Sequence, residues 1–213
     1  MNETYFTREP ESESRPAECE FAYRGRTLRF TTDAGVFSRG ELDTGTRLLL
    51  DALPERLSGT VLDLGCGWGP IGISVKAAWP ETCVWMSDVN LRALAWSRRN
   101  AERNQVSVTC IESDGFSALA DVRFDAVITN PPIRAGKQAI YQMFADAHER
   151  LKPGGSLFLV IRKQQGAESC IRYLKTLYAS VEKLDRSGGF WVLEARKNET
   201  GESGKPAESS GLE

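Results

Sequence analysis

The stretch TVLDLGCGWGPIG, residues 60–72, decides the fold of this chain. An apolar segment, TVLDL, is followed by glycines at every second position, Gly65, Gly67 and Gly69, and Pro70 then begins a helical pattern. Proline is favoured in the first turn of a helix, and glycine lets the backbone turn tightly and approach a ligand closely. The stretch therefore predicts a buried strand, a glycine loop and a helix, in that order.

Strands and helices continue to alternate after this loop. The predicted strands lie at residues 82–88, 106–114, 124–130 and 156–161, and the predicted helices at residues 91–104 and 138–151. The KPGG sequence at residues 152–155 is expected to stop the second of these helices. Upstream, residues 27–37 predict a strand or hairpin arm, and residues 42–57 predict a helix with Asp43 as its N-cap. Such an alternation is typical of a parallel, doubly wound sheet.

The end of the chain departs from this alternation. Residues 179–186 and 190–197 predict two strands that are joined only by the short SGG sequence. A parallel crossover needs a dozen or more residues, so this link is a hairpin and the last strand runs antiparallel. We therefore predict an α/β fold with a Rossmann-like, doubly wound, seven-stranded sheet that is mostly parallel, with an antiparallel last strand.

The two ends of the chain differ in charge from its middle. Residues 1–20 contain six acids and two bases, residues 198–213 contain four acids and one base, and residues 21–197 contain 24 bases and 19 acids. We expect a polar N-terminal segment at 1–20, one domain at 21–197 and a disordered polar tail at 198–213. A mildly basic domain tolerates a polyanionic partner without requiring one, and scattered solvated charge is the alternative explanation.

Composition argues against several classes of protein. No apolar run approaches the roughly 20 residues of a membrane span, and the N-terminus has no apolar signal sequence. The five cysteines are scattered and form no C-x-x-C pair, which favours reduced thiols in a cytoplasm. His148 is the single histidine, so zinc bound by cysteine and histidine is not expected. We expect a cytoplasmic protein with no membrane partner and no metal, and a monomer is the working expectation for its assembly.

Three aspartates are predicted to lie at the carboxyl edge of the sheet, where open α/β sheets bind their ligands. Asp63, just before the glycine loop, disfavours a pyrophosphate and suits a ligand that carries an ammonium and a sulfonium. Asp88 ends a strand and is placed to accept hydrogen bonds from both ribose hydroxyls; a helix N-cap is the alternative, unless Asn90 takes that role. Asp114 is placed to reach an adenine amino group, with Gly115 close to the ring, and a turn aspartate is the alternative.

Five motifs of the chain together resemble a known enzyme family. VLDLGCGWGPIG, SDVN, SDGF, TNPPIRAGK and LKPGGSL, in this order, resemble class I S-adenosylmethionine-dependent methyltransferases. The chain is most similar to their small-domain family, which is related to the small-subunit ribosomal RNA guanine-N2 methyltransferases, and the similarity spans residues 5–197. The resemblance implies S-adenosyl-L-methionine as the cofactor and, as its binding residues, Asp63, Gly65, Cys66, Gly67, Asp88, Asp114 and Gly115. Cys66 is expected to be a small packing residue within the loop.

Asn130, Pro131 and Pro132 end a predicted strand and are the catalytic residues that the resemblance implies. The exocyclic amine of a base is a poor nucleophile, because its lone pair is delocalised into the ring. The side-chain carbonyl of Asn130 and the main-chain carbonyl of Pro131 would accept the two hydrogens of the amine and direct its lone pair at the methyl group. Prolines fix φ and donate no hydrogen bond, so both acceptors stay rigid. A buried turn with a capping asparagine is the alternative.

Residues after two strand ends are candidates for substrate binding. Ile133 stands where many amino-methyltransferases have an aromatic residue that stacks on the base, so the platform for the base is expected to be weaker or to come from elsewhere. Arg134 and Lys137 follow the Asn-Pro-Pro sequence, and Arg162 and Lys163 follow the next strand. We expect these four side chains to hold phosphates near a flipped nucleotide, with solvated surface charge as the alternative.

The most favoured function is methylation of guanine N2 in ribosomal RNA, with the RNA or a ribosomal subunit as partner. A protein glutamine amide would fit the same pair of acceptors and remains an alternative. A dinucleotide-dependent oxidoreductase is disfavoured by Asp63 and by the terminal hairpin. A cofactor-binding protein without catalysis is disfavoured by the intact Asn-Pro-Pro sequence.

Overall fold

The computed structural model describes Arg8 and residues 12–119, 121–132 and 135–200. Within these residues the strands are β1 Ala17–Tyr23, β2 Arg26–Thr32, β3 Thr60–Leu64, β4 Cys83–Asp88, β5 Thr109–Glu112, β6 Phe124–Thr129, β7 Leu151–Arg162, β8 Ser180–Ser187 and β9 Phe190–Arg196. The α-helices are α1 Thr44–Asp51, α2 Pro70–Ala78, α3 Leu91–Arg103, α4 Lys137–Arg150 and α5 Ala167–Leu177. A 3₁₀ turn covers Lys163–Gln165.

Seven strands form one sheet in the order β5-β4-β3-β6-β7-β9-β8. The first five pair in parallel, whereas β9 runs antiparallel to both β7 and β8. The predicted seven-stranded, mostly parallel sheet with an antiparallel last strand is therefore confirmed. The strand order reverses between β3 and β6, and a parallel sheet opens a crevice at the carboxyl ends of its strands at such a point.

Helices cover both faces of the sheet, as a doubly wound fold requires. On one face, α1, α2 and α3 form a core with the β1–β2 hairpin, to which Phe30, Leu49 and Leu94 contribute fully buried side chains. On the other face, α4 and α5 form a second core, to which Phe144 and Leu174 contribute. Because both faces of the central strands are covered, a strand such as β3 reads as an almost continuous apolar run.

The β1–β2 hairpin is bound to the C-terminal end of α3 by Asn100 and by the C-cap residue Asn104. The side chain of Asn104 bonds the backbone N–H and carbonyl of Arg29, and that of Asn100 bonds the same groups of Thr31. Each amide thus satisfies a donor and an acceptor that would otherwise be unpaired along the outer side of β2. β1 begins at Ala17, within the stretch that the sequence assigned to a polar N-terminal segment.

The region around the KPGG sequence differs from the prediction. α4 ends at Arg150, and Leu151, predicted as helical, has extended backbone and is the first residue of β7. Residues 152–155 do not separate two elements, because they form an irregular part of β7 where its register with β6 shifts opposite Asp125. Proline and glycine correctly indicated that regular structure is interrupted at this point. The irregularity, however, lies inside strand β7, because α4 has already ended.

Helix α5 was not predicted, although its sequence carries the signal. Ala167, Cys170 and Leu174 are all buried and recur at helical spacing. Gly166, with φ of 92°, lies between the 3₁₀ turn and α5 and supplies the left-handed conformation of that junction.

The outer strands of the sheet are β5 and β8. β5 has four residues, and β8 is exposed along nearly its whole length. The pairing of β8 with β9 shifts register between Lys183 and Asp185. Both outer strands are therefore shorter or less regular than the strands at the centre.

His148 near the end of α4 is a buried base in an apolar setting. Its ring meets the ring of Tyr178 edge-on at 4.9 Å, and its backbone carbonyl accepts a hydrogen bond of 2.8 Å from Nζ of Lys197. Nε2 of His148 is buried without a hydrogen-bond partner among the described residues. Burial, and then the positive charge of Lys197, lower the pKa of His148 below its usual 6.5.

This lowered pKa predicts a specific dependence of stability on pH. The unfolded chain binds a proton at His148 near pH 6.5 and the folded chain only at lower pH, so the contribution is favourable above about pH 6.5 and is lost as pH falls. We expect the contribution of His148 to stability to fall on acidification, with a slope of at most about 1.4 kcal/mol per pH unit. Buried Asp63, whose pKa is raised to about 7, contributes with the opposite sign and acts alike in wild type and in a His148 variant. Urea unfolding of wild type and His148→Gln at several pH values from 5 to 8 measures it. The difference between the two slopes isolates His148, and equal slopes would contradict the assignment.

Candidate functional site

A cavity of about 840 Å³ opens at the carboxyl ends of the parallel strands. Its lining includes most of the residues that the sequence selected: Gly65, Cys66, Gly67, Asp88, Asp114, Gly115, Asn130, Pro131, Pro132 and Arg162. It lies where the strand order reverses, as expected for a ligand site of an open α/β sheet. One cavity therefore joins the glycine loop, two of the three predicted aspartates and the Asn-Pro-Pro sequence.

The glycine loop is held by the carboxyl end of β4. The N–H groups of Gly65 and Cys66 both donate to the carbonyl of Ser87 at 2.9 Å, and the N–H of Gly67 donates to Asp88 Oδ2 at 2.8 Å. Gly65 and Gly67 have φ of 72° and 56°, and a side chain built at either position would meet open space. These glycines are therefore needed for their backbone conformation, and they leave the wall of the cavity bare for a ligand.

Two backbone N–H groups fix the carboxylate of Asp88 in the cavity. Its Oδ2 accepts the N–H of Gly67, and its Oδ1 accepts the N–H of Asn90 at 2.8 Å. Burial raises the pKa of Asp88, and these two N–H groups act against that effect. The N-cap of α3 is Asn90, whose side chain accepts from the N–H of Ala93 at 3.0 Å. Asp88 is thus spared that role, and each of its oxygens keeps capacity for a further hydrogen bond from a ligand.

Asp63 lies beneath the loop and does not line the cavity. Its Oδ2 accepts the N–H of Gly72 at 2.8 Å, and its Oδ1 is buried without a partner among the described residues. Burial, together with the nearby charge of Asp88, raises the pKa of Asp63 to about 7. A cation bound in the loop would favour the ionised form of Asp63. Because Asp63 does not line the cavity, it would act on such a ligand through its charge and not by direct contact.

The third strand end contributes Asp114 and Gly115. Asp114 is exposed in the cavity wall, and Gly115 has φ of 54°. The hydroxyl of Ser113 donates to the carbonyl of Gly115 at 2.9 Å and accepts from the N–H of Ala118 at 3.1 Å. The turn is therefore fixed by Ser113, which leaves the Asp114 carboxylate facing solvent and the cavity.

Cys66 packs within the loop, as expected for a small buried side chain. Only 4% of it is exposed, and its Sγ lies 3.6 Å from Oγ of Ser97. Burial raises the pKa of Cys66 well above its usual value, so the group remains a thiol. Within the described part of the chain, no group of three or more His, Cys, Asp or Glu side chains is arranged to hold a metal ion.

The side chain of Asn130 is oriented by two groups of α1. Its Nδ2 donates to Oδ2 of Asp43 at 3.1 Å and to Oγ1 of Thr46 at 3.0 Å. A carboxylate only accepts hydrogen bonds, so the amide nitrogen must face Asp43. Among the described residues, no hydrogen bond uses Oδ1 of Asn130 or the carbonyl of Pro131. Both acceptors that the sequence predicted are thus available at the cavity.

Asp43 and Thr46 are site residues that sequence reasoning missed. Asp43 was assigned only as the N-cap of α1, which is confirmed because its Oδ2 accepts the N–H of Thr46 at 3.0 Å. Asp43 and Asn130 lie 87 positions apart in the sequence, so no local pattern could link them. Both Asp43 and Thr46 line the cavity.

Three aromatic residues, Phe37, Trp68 and Phe190, also line the cavity, and Trp68 is almost fully buried. Phe37 is 38% exposed, although it is a large apolar residue, and its carbonyl accepts from Nε1 of Trp68 at 2.9 Å. Phe190 lies beneath the guanidinium of Arg162, with the central carbon of that group 4.5 Å from the ring centroid. No sequence signal indicated Phe37 or Phe190, because each reaches the cavity from a separate part of the chain.

The predicted substrate-binding residues are not all brought together. Ile133 and Arg134 lie outside the described residues. Arg162 lines the main cavity, whereas Lys137 lines a smaller cavity of about 280 Å³ that shares Ile161 and Gln165 with it. Lys163 is exposed in the 3₁₀ turn and lines neither cavity, although its N–H donates to the carbonyl of Gly189 at 2.8 Å. The three described bases therefore do not all line the same cavity.

No helix among the described residues is long and apolar enough to cross a membrane.

Comparison with known proteins identifies the family. A family model described as "Methyltransferase small domain" matches residues 27–194. YbxB of Bacillus subtilis, an uncharacterised protein, is 40% identical over 200 residues, which is 92% of this chain and 100% of YbxB. Ribosomal RNA small subunit methyltransferase C of Hahella chejuensis is 44% identical over 64% of this chain and 41% of its own length.

A solved structure agrees with these sequence matches. It is the 16S rRNA N2 G1207 methyltransferase RsmC of Thermus thermophilus in complex with AdoMet and guanosine, with a TM-score of 0.73 and 27% identity. The match covers 87% of this chain and 52% of the Thermus chain, so this chain spans about half the length of the methyltransferase C relatives. The chain belongs to the methyltransferase small domain family and is a class I S-adenosylmethionine-dependent methyltransferase.

Proposed function

We propose that this methyltransferase methylates an exocyclic amine, and that the amine is guanine N2 of ribosomal RNA. The observation that carries the proposal is the Asn130 amide, which is held by α1 in the one orientation that frees its carbonyl oxygen. The carbonyl of Pro131, which lines the same cavity, is the second acceptor. The names of the methyltransferase C relatives support RNA as the substrate, and with such a substrate we expect the protein in the cytoplasm.

The residues of the cavity fit the cofactor. Asp88 has oxygen lone pairs for ribose hydroxyls, Asp114 and Gly115 lie at the next strand end for the adenine, and the bare loop at Gly65 and Gly67 admits a chain close to the backbone. A cationic ligand would favour the ionised form of Asp63 beneath the loop, and that charge would in turn favour the ligand. S-adenosylmethionine would supply a methyl group bonded to a sulfonium sulfur. The amine nitrogen would attack the methyl carbon from the side opposite the sulfur, which leaves as a thioether.

The protein's own part in catalysis is to position the acceptor. Asn130 and Pro131 accept the two hydrogens of the amine, so that its lone pair points out of the plane of the base. Pro131 and Pro132 keep the backbone rigid, so these acceptors need little reorganisation when charge develops on the nitrogen. No strong general base is required, because the nitrogen loses a proton readily once it has gained a fourth bond.

We assign the platform for the base to Phe37 and Phe190. Both are aromatic and line the cavity, and Phe37 is partly exposed there. Stacking of a base on an aromatic ring contributes about 1–3 kcal/mol. Arg134, Lys137, Arg162 and Lys163 are proposed to hold the phosphates on either side of the flipped nucleotide.

The identity of the acceptor is tested by the transfer of a labelled methyl group. The protein is incubated with labelled S-adenosylmethionine and, in separate reactions, with naked small-subunit ribosomal RNA, with small ribosomal subunits, and with total protein. We expect label in RNA and, after digestion to nucleosides, in N2-methylguanosine. Label found in glutamine side chains of protein would replace the RNA with the amide alternative.

The Asn130 side chain is predicted to act in the transition state more than in binding. Asn130→Ala should lower kcat by the equivalent of about 2–4 kcal/mol, as loss of one positioned polar group does at other sites. Affinity for S-adenosylmethionine should change by no more than a few-fold, because the side chain bonds α1 and the acceptor. Single-turnover kinetics and calorimetry on a variant with unchanged thermal unfolding measure both. A kcat within a factor of three of wild type would reduce the Asn-Pro-Pro sequence to a turn.

The basic residues beside the site predict a dependence on salt. Lys137→Glu combined with Lys163→Glu should weaken binding of small-subunit ribosomal RNA and flatten the plot of log affinity against log salt, by about 0.7–0.9 for each phosphate that is no longer neutralised. Arg172→Glu combined with Lys175→Glu is the matched control, because it changes the charge equally on exposed positions of α5 beyond the site. Filter binding at a series of salt concentrations measures both slopes. Equal slopes in the two double variants would mean that Lys137 and Lys163 are ordinary solvated charges that do not bind phosphates.

A further inference from the structure

The two oxygens of the Asp43 carboxylate have different surroundings. Its Oδ2 accepts the N–H of Thr46 as the N-cap of α1, and it also accepts Nδ2 of Asn130. Among the described residues, no hydrogen bond uses Oδ1 of Asp43. Asp43 is only partly buried and lines the cavity together with Asn130 and Pro131. One oxygen thus serves the fold and the Asn130 amide, and the other is available to a ligand.

Oδ1 of Asp43 belongs to the carboxylate that binds the Asn130 amide, so it lies near the proposed acceptors for the amine. A single hydrogen bond of 3.1 Å joins the Asp43 carboxylate to the Asn130 amide. A side chain at Gly45 would approach Oδ2 of Asp43 to 3.0 Å and the ring of Phe190 to 2.9 Å. The backbone at Gly45 is therefore packed closely between the carboxylate and an aromatic wall of the cavity, which fixes the position of Asp43.

An acceptor beside the amine distinguishes guanine from the other candidate substrates. In guanine the ring nitrogen next to the 2-amino group, N1, carries a hydrogen. In adenine and cytosine the ring nitrogen next to the exocyclic amine is an acceptor, and in a glutamine amide the neighbouring group is a carbonyl oxygen. A carboxylate at this position forms a charge-assisted hydrogen bond with N1–H of guanine. It repels the acceptor that adenine, cytosine or a glutamine amide presents there.

We propose that Asp43 is the specificity-determining residue for guanine, with Oδ1 accepting the N1 hydrogen while Oδ2 orients Asn130. The inference rests on the proposed function and deepens it, because it assigns the choice of base to a named side chain. Carboxylates at base edges read donors in this way in nucleic-acid recognition. Asp43 would therefore orient Asn130 and also select the base whose amine Asn130 binds.

The test compares guanine with 2-aminopurine, a base that keeps the 2-amino group but has an acceptor at N1. Small-subunit ribosomal RNA is prepared by ligation with either base at the acceptor position mapped by the labelling experiment. Wild type should methylate the guanine RNA about ten- to a hundredfold faster than the 2-aminopurine RNA, as expected for loss of one hydrogen bond to a charged group.

Asp43→Asn is the decisive variant. Asparagine is a good N-cap, and its oxygen replaces Oδ2 toward Thr46 and Asn130, which turns its NH₂ group toward the base. The preference for guanine should fall to within about threefold or reverse, since a donor now meets N1. Asp43→Ser keeps a cap but does not reach the base, and it should lose the preference in the same way, so the result does not depend on one variant folding.

Thr46→Val is the matched control. It removes the second acceptor for the Asn130 amide and leaves Oδ1 of Asp43 in place, so both rates should fall while their ratio stays that of wild type. An unchanged ratio in both folded Asp43 variants would overturn the assignment of Asp43. If wild type methylates neither RNA, the proposed function fails and this inference with it, which is a different result from methylation of both RNAs at equal rates.

Discussion

Three consecutive N–H groups of the glycine loop, those of residues 65–67, are bound by the carboxyl end of β4. Two donate to the carbonyl of Ser87 and the third to the carboxylate of Asp88. The loop therefore takes its shape from the neighbouring strand and not from its own side chains. Since β3 and β4 pair in parallel and in register, the end of one strand is always next to the end of the other. This junction therefore positions both the loop and Asp88 in the wall of the cavity.

The remaining parts reach the junction from different directions. The β1–β2 hairpin is held by Asn100 of α3 and by Asn104, the C-cap of that helix. Asn100 also donates to the carbonyl of Trp68 in the glycine loop at 2.9 Å. The N-terminus of α1 meets the end of β6 through Asp43 and Asn130. Polar side chains of neighbouring elements therefore bind the glycine loop on one side of the cavity and the Asn130 amide on the other.

The sequence was sufficient for the frame and for the positions of the main polar groups. Alternating apolar runs and the short terminal link predicted a mostly parallel, doubly wound sheet whose last strand is antiparallel. Strand ends predicted that Asp88, Asp114 and Asn130 would share one edge. Local pattern did not reveal which way the Asn130 amide faces, because its partners are distant in sequence and only the packing of α1 brings them near. It also could not show that Asp63 lies behind the loop, since burial depends on the helix that follows. The irregular start of β7 was misread because proline and glycine interrupt strands as well as helices.

The outer strands of the sheet have a consequence for the behaviour of the protein at high concentration. An unpaired strand is a template on which a second molecule can add a strand of its own, and a long, flat, apolar edge favours such growth. At one side β5 offers only four residues, and at the other β8 carries acidic and basic side chains and a break in register at Lys183. Neither side presents a regular row of backbone groups. The irregularities that mark the limits of the sheet therefore also disfavour the addition of a strand from a second molecule.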